Sequence, residues 1–289
     1  MTALSRRSPG NQISGNRIPV IHFRTRRVRN AVLAGSALLL LSVWLAYESA
    51  SLTNPAWTSG WVLGSVILFL TALSARKRLA CLPLFPVSTW VQAHIHAGWA
   101  SVVLLALHVG WHWPNGVFEQ TLAALFLLLA GSGIWGLWLT RQSPKQLAKL
   151  PLEVRYEEIR DRRRRLDEQV HRVVLQSAES TGVLADFHLE VTAPFFGRSR
   201  GLSYWLWPGS ATRRRIETEL SLLDRYLTDS QRQVAKQLAL AVRERDDLDF
   251  HQAVQGRLKL WLFAHIAMTY SLWALIVIHV ILVHAFRGA

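Results

Sequence analysis

Five stretches of this chain are each long and apolar enough to cross roughly 30 Å of hydrocarbon as a helix. They cover approximately 31–48, 56–74, 88–112, 117–139 and 259–285 of the 289 residues. Tryptophans stand at many of their ends, at Trp57, Trp61, Trp90, Trp111, Trp113, Trp138 and Trp261. Aromatic residues in such places sit well at the boundary between lipid and water, which sets these segments apart from the buried helices of a large soluble protein. The expected fold is therefore an all-α integral membrane protein with five transmembrane helices and a mainly helical cytoplasmic insert between the fourth and fifth. It divides into a basic arm (1–30), spans one to four (31–140), the insert (141–258) and the fifth span with a short tail (259–289).

Loop charge gives the expected orientation. Residues 1–30 hold seven Arg and no acid, and the link after the second span holds Arg76, Lys77 and Arg78. Residues 49–55 and 113–116 hold neither Lys nor Arg. The positive-inside rule then puts the N-terminus and the insert in the cytoplasm and the C-terminus outside, in a bacterial inner membrane. Thr25-Arg26-Arg27 before an apolar run resembles a twin-arginine export signal, but Glu48-Ser49-Ala50 makes a poor cleavage site, so the first span is expected to stay.

The net charge of +14 does not point to nucleic acid. The insert carries 21 of the 33 basic and 17 of the 19 acidic residues, so the excess lies mainly in the N-terminal arm. The run Arg162 to Arg165, interleaved with acids, reads as a solvated helix face near anionic lipid. Within the insert, 146–178 reads as a helix and 184–195 alternates like a short strand. Residues 196–211 read as loop and 212–226 as a helix. A further helix begins near Thr228 or Asp229 and runs toward the fifth span. Tyr204, Trp205 and Trp207 fit either a partner-docking surface or a segment dipping into lipid.

Chemistry must come from the histidines. The single cysteine, Cys81, excludes a disulfide framework, a cysteine-rich zinc site, a self-ligated iron–sulfur cluster and haem attached through Cys-x-x-Cys-His. Of eleven histidines, seven lie on or at the ends of two spans: His94, His96, His108 and His112 on the third, and His265, His279 and His284 on the fifth. An ionisable side chain at membrane depth is costly and points to function.

The spacing is the sharper signal. His94 and His108 are 14 residues apart, and so are His265 and His279. Fourteen residues make four turns of a left-handed bundle, so both members of a pair share a seam, at levels roughly 21 Å apart. With the two spans parallel, His94 comes level with His265 near the cytoplasm and His108 with His279 near the outside. Facing imidazoles at two levels are what two non-covalent b-type haems with bis-histidine ligation require. The expected ligands are His94 and His265 for the inner iron, and His108 and His279 for the outer.

This pattern resembles the dihaem membrane cytochromes b, including the cytochrome b561 and ferric-reductase-like transmembrane families. In layout it is most similar to the ferric reductase and NADPH oxidase membrane domain. That resemblance covers residues 88–285 and rests on four histidines. The chain departs from it in the long insert and in having neither a sixth span nor a flavin- and NADPH-binding domain, which argues against direct oxidation of NADPH.

The remaining positions have quieter expected roles. His96 is rotated by about 200° from His94 and faces away from the seam. His112, His284 and Glu119, near the outer surface, are candidates for quinone or propionate contact alongside His96, with headgroup water as the simpler surrounding. His22, His171, His188 and His251 are expected to be solvated or locally paired. His108-x-x-x-His112 has the i, i+4 spacing of a metal site and resembles a di-iron histidine box. Gly131-Ser132-Gly133-Ile134-Trp135-Gly136 spells a dinucleotide fingerprint, but inside a span with no preceding strand. There small residues serve close approach of a helix or a porphyrin face, as Gly98 would one turn after His94.

The expected function is electron transfer across the membrane, as one subunit of a redox complex rather than a complete enzyme. Its partners would be a cytoplasmic iron–sulfur or flavin protein and an outer-face c-type cytochrome. The alternatives are a cytochrome b that reacts with quinol or quinone, and a haem-free scaffold that anchors other subunits.

Overall fold

The computed structural model describes residues 35–36, 55–78, 86–151, 153–177 and 182–286. All but two residues of the predicted first span, and Cys81, lie outside these. Among the described residues there is no strand. The chain divides into two units, one up to Val117 and the other from Phe118.

The first unit contains α1 (Pro55–Arg78) and α2 (Val87–His108), packed side by side. Proline at the first position of α1 costs nothing, because its missing N–H is one that a helix start leaves unbonded. Leu63, Ile67 and Leu104 are buried, and Phe69 stacks on Trp90 with ring centroids 5.8 Å apart. The third span was expected to reach residue 112, but the helix ends at His108. Gly110 and Trp111 both take left-handed conformations (φ 65° and 63°). The Gly110 N–H donates to the Leu107 carbonyl and the Trp111 N–H to that of Ala106, the paired bonds that close a helix C-terminus.

The second unit begins with α3 (Val117–Leu147), which continues past the apolar run and through Pro144. The helix expected from residue 146 starts instead at Tyr156, as α4 (Tyr156–Ser177). Pro151 biases the residue before it away from helical backbone, and the chain turns between the two helices. The short helices α5 (Gly182–Phe187), α6 (Ala193–Gly197) and α7 (Leu202–Leu206) follow, with a π-helical turn at His188–Thr192 joining the first two. Then come α8 (Ala211–Leu223), a 3₁₀ turn at Asp224–Tyr226, and α9 (Asp229–Ala285).

Two expectations for the insert are corrected here. The strand at 184–195 is helical, and the loop at 196–211 contains α7. Leu184, Phe187, His188, Thr192, Phe195 and Phe196 are the buried positions. Their spacing of three and four is helical, and it outweighs the local alternation around Phe187.

The core of the insert joins Ile159, Leu166, Val170 and Val174 of α4 to Ile216 and Leu220 of α8 and Leu238, Val242 and Leu248 of α9. Helix α9 is 57 residues long, about 86 Å, and carries the chain without a break from the insert into the last apolar stretch. Thr228 caps it in a reciprocal box with Gln231, whose Oε1 accepts from the Thr228 N–H at 2.8 Å.

Among the described residues four helices, α1, α2, α3 and α9, are long and apolar enough to cross a membrane. The all-helical character expected of the protein is thus present, and these helices are compatible with a membrane protein.

Candidate functional site

The four predicted ligand histidines are all half-buried and all on the apolar helices α2 and α9. On α2, 14 residues at 100° each leave His94 and His108 only about 40° apart around the axis, and both turn toward α1. The Nδ1 of His94 lies 3.2 Å from the Leu70 carbonyl oxygen. The Nδ1 of His108 lies 3.1 Å from the Ser59 hydroxyl. Gly60 makes room for this ring, since a Cβ there would stand 3.0 Å from the His108 Cε1.

In the second unit α3 serves α9 in the same way. The His265 Nδ1 is 2.7 Å from the Ser132 hydroxyl, and the ring of His279 stacks on Phe118 with centroids 6.3 Å apart. Positions 118 and 132 of α3 are separated by the same 14 residues as His265 and His279 on its antiparallel neighbour. The indole of Trp261, one turn before His265, donates to the Ser132 carbonyl at 2.7 Å. Ser132 therefore holds two adjacent rings of α9, one through its backbone and one through its side chain.

The bond to Leu70 fixes the tautomer of His94. A carbonyl can only accept, so His94 carries its proton on Nδ1. The Ser59 hydroxyl already donates to the Ala56 carbonyl at 3.2 Å, and the Ser132 hydroxyl to that of Leu129 at 2.7 Å. The same hydroxyls lie within reach of the His108 and His265 Nδ1 atoms, which donate or accept according to the tautomer. On His94 the lone pair is consequently on Nε2, across the ring from the anchored nitrogen. This is the arrangement of a metal-ligating histidine: Nδ1–H bonded to an oxygen, ring orientation set, and Nε2 made more basic.

No family model, curated protein or solved structure matches this chain. The functional reading therefore rests on the side chains themselves.

The glycine-rich sequence on α3 proves to be a packing surface. A Cβ on Gly136 would overlap the six-membered ring of Trp261, and one on Gly133 would stand 3.8 Å from the His265 Cε1. Gly98 and Gly131 are different, since a Cβ at either would meet nothing within 4 Å.

The other predicted positions separate from this set. His96 is half-buried. His112 is exposed, in the turn after α2, with its Nδ1 against the Gly110 carbonyl. The i, i+4 pairing with His108 is lost because the helix has ended between the two residues. Among the described residues no three His, Cys, Asp or Glu gather as a metal site. His284 is exposed, with Nδ1 2.7 Å from the Val280 carbonyl, and Glu119 is exposed in the first turn of α3. In the insert, His188 and His251 are buried and locally paired, His188 with Thr192 at 2.8 Å and His251 with Gln255 at 3.2 Å.

Sequence reasoning missed the groups that orient the ligands: Ser59, the Leu70 carbonyl, Ser132 and Trp261. A signal was present at two of them. Ser59-Gly60 and Gly131-Ser132-Gly133 each put a hydroxyl beside a residue without a side chain, which lets a large ring come close enough to bond to that hydroxyl.

Proposed function

We propose that this protein is a b-type cytochrome that holds two haems by histidine pairs and carries electrons across the membrane as a subunit of a redox complex. His94 and His265 would hold the inner haem, and His108 and His279 the outer. The observation that carries this reading is the pair of matched 14-residue histidine intervals on two apolar helices, with the Nδ1 of His94, His108 and His265 each held against an oxygen and its Nε2 left across the ring. Haem, when bound, supplies a one-electron couple at each level.

The chain's own residues contribute orientation and basicity. Ser59, Leu70 and Ser132 would keep each imidazole from turning, and an oxygen accepting from Nδ1–H would raise the electron density on Nε2, which favours ferric over ferrous iron. The half-buried, apolar flanks limit access of water, so the environment resists a change in charge and tunes the potential. The orientation proposed from loop charge has the N-terminus in the cytoplasm of a bacterial inner membrane. A flavin or iron–sulfur protein would exchange electrons at that face, and a c-type cytochrome at the other.

The test is a reduced-minus-oxidised spectrum of the purified protein with haem counted per chain. Two low-spin haems are expected. His94→Ala or His265→Ala should remove the inner one and leave most of the outer, and His108→Ala or His279→Ala should do the reverse. Absence of Soret absorption after expression with ample haem would leave a scaffold as the better reading, and four variants with unchanged spectra would refute the ligand assignment.

A further inference from the structure

The segment around α7 presents apolar side chains to solvent where a soluble domain would keep polar ones. Leu202 is 72% exposed, Leu206 40% and Trp207 80%. Its other side is fastened down. Tyr204 lies under the Arg200 guanidinium, 4.7 Å from its ring centre, and Trp205 packs on α9 at Gly256, where a Cβ would stand 3.0 Å from the indole nitrogen. The Arg257 guanidinium donates to the Leu206 carbonyl at 3.0 Å.

The place of attachment matters more than the exposure. Gly256 and Arg257 are the last turn of α9 before its apolar stretch, which opens with Leu258, Lys259, Leu260 and Trp261. A second marker of depth comes from α3. Trp261 packs at Gly136, and Arg141, the first charge beyond that glycine, is five residues further on, about 7.5 Å along the axis. Lys259 is two residues before Trp261, about 3 Å, and Arg257 four, about 6 Å. Both helices therefore carry cations within a few ångströms of one level, and α7 is tied to α9 at the level of Arg257. Lys259 leans over the Tyr156 ring, 4.2 Å from its centre, and Arg198 is exposed beside the segment.

We propose that residues 202–207 form an interfacial anchor, which inserts Leu202, Leu206 and Trp207 into the headgroup layer of the bilayer face where α9 enters. A tryptophan with two leucines, flanked by Arg and Lys, matches that layer in both halves: the apolar groups reach the acyl boundary, and the cations meet anionic headgroups. The anchor clamps the insert against the membrane surface, so α9 is not its only tether there.

The test uses the full-length chain in nanodiscs of phosphatidylcholine and phosphatidylglycerol. Cys81→Ser gives a thiol-free background, into which Leu202→Cys, Trp207→Cys, Tyr226→Cys and Val277→Cys are introduced singly and spin-labelled. Tyr226 is the water control, since it precedes α9 and lies about 45 Å along the axis from Lys259. Val277, inside the apolar stretch, is the lipid control. Positions 202 and 207 should favour oxygen over a water-soluble nickel complex, with values between the two controls. In the protein without labels, Trp207→Ala should reduce the tryptophan emission quenched by brominated lipid. Labels at 202 and 207 as open to nickel as Tyr226, or closed to both reagents as in a protein interface, would overturn the proposal. Val277 reading as water would overturn the span itself, and the anchor with it.

Discussion

Ser132 gathers more of the candidate site than any other residue, because its hydroxyl lies 2.7 Å from the His265 Nδ1 and its carbonyl accepts from Trp261. Ser132→Ala would remove the hydroxyl that orients His265, at a cost of about 1 kcal/mol. Loss of an orienting partner of this kind weakens a metal–histidine site by roughly 10-fold or more. On the dihaem proposal the inner haem should therefore be retained less well, and its midpoint potential should rise because the imidazole donates less electron density; potentiometry of the variant checks both. Ser59→Ala should have the same effect on the outer haem alone. Gly136→Ala acts by volume. The new methyl would occupy the position of the Trp261 ring, and expelling that ring breaks the bond to Ser132. A penalty of about 1–3 kcal/mol is expected for overpacking, visible as a lower melting temperature together with loss of inner haem. The histidines were legible in the sequence because four identical residues at matching intervals are improbable by chance. Their orienting groups were not, since a serine on a neighbouring span has no register with a histidine until the two helices are paired.

At the scale of elements, α9 carries a buried ionic cluster on the part that crosses the insert. Arg245 has no exposed surface and pairs with Asp249, while Arg200 bridges Asp246 at 3.0 Å and Asp249 at 3.1 Å. Arg213 reaches Asp246 at 3.7 Å and Asp247 at 3.6 Å. The Asp246 carboxyl is nonetheless pushed up to about 6, because burial penalises its charge by more than Arg200 and Arg213 relieve it, with Asp249 and Asp247 adding to the rise. A carboxyl whose pKa is higher folded than unfolded binds its proton more tightly in the fold. Its contribution to stability is whole below the ordinary value of 3.8 and is lost as the pH rises through about 6. Asp246→Asn should therefore narrow the difference in unfolding free energy between pH 4 and pH 7 by an amount on the order of 3 kcal/mol at most, measured by chemical denaturation monitored on the insert. Arg245→Ala should be worse at every pH, by about 3 kcal/mol, because it removes a fully buried guanidinium and leaves Arg200 and Arg163 alone to balance the buried Asp249. The sequence showed this stretch only as charged residues on a helix. It read α9 correctly as one helix running toward the span, because a strong cap at Thr228 and the lack of Gly or Pro up to Gln252 leave nothing to stop it. It misread 184–195, where five residues of alternation looked like a strand and the helical spacing emerged only over twelve.

At the scale of the molecule, the proposed direction of each span depends on loop charge, and Cys81 offers a direct check. It is the only cysteine, it lies outside the described residues, and the link that holds it follows Arg76, Lys77 and Arg78. Keeping that link cytoplasmic satisfies the positive-inside rule, and it also keeps the seven arginines of the N-terminal arm on the same side, since two spans separate them. A maleimide that cannot cross membranes should leave Cys81 unlabelled in intact spheroplasts and label it once they are permeabilised. A cysteine introduced at Glu119, in the first turn of α3 and outside on the proposed orientation, should react in the intact cells. Reaction of Cys81 from outside together with protection of position 119 would invert the protein. The insert and the electron-donating partner proposed for it would then have to be sought on the opposite face, while the 14-residue intervals within α2 and within α9, which depend only on helix register, would be unchanged.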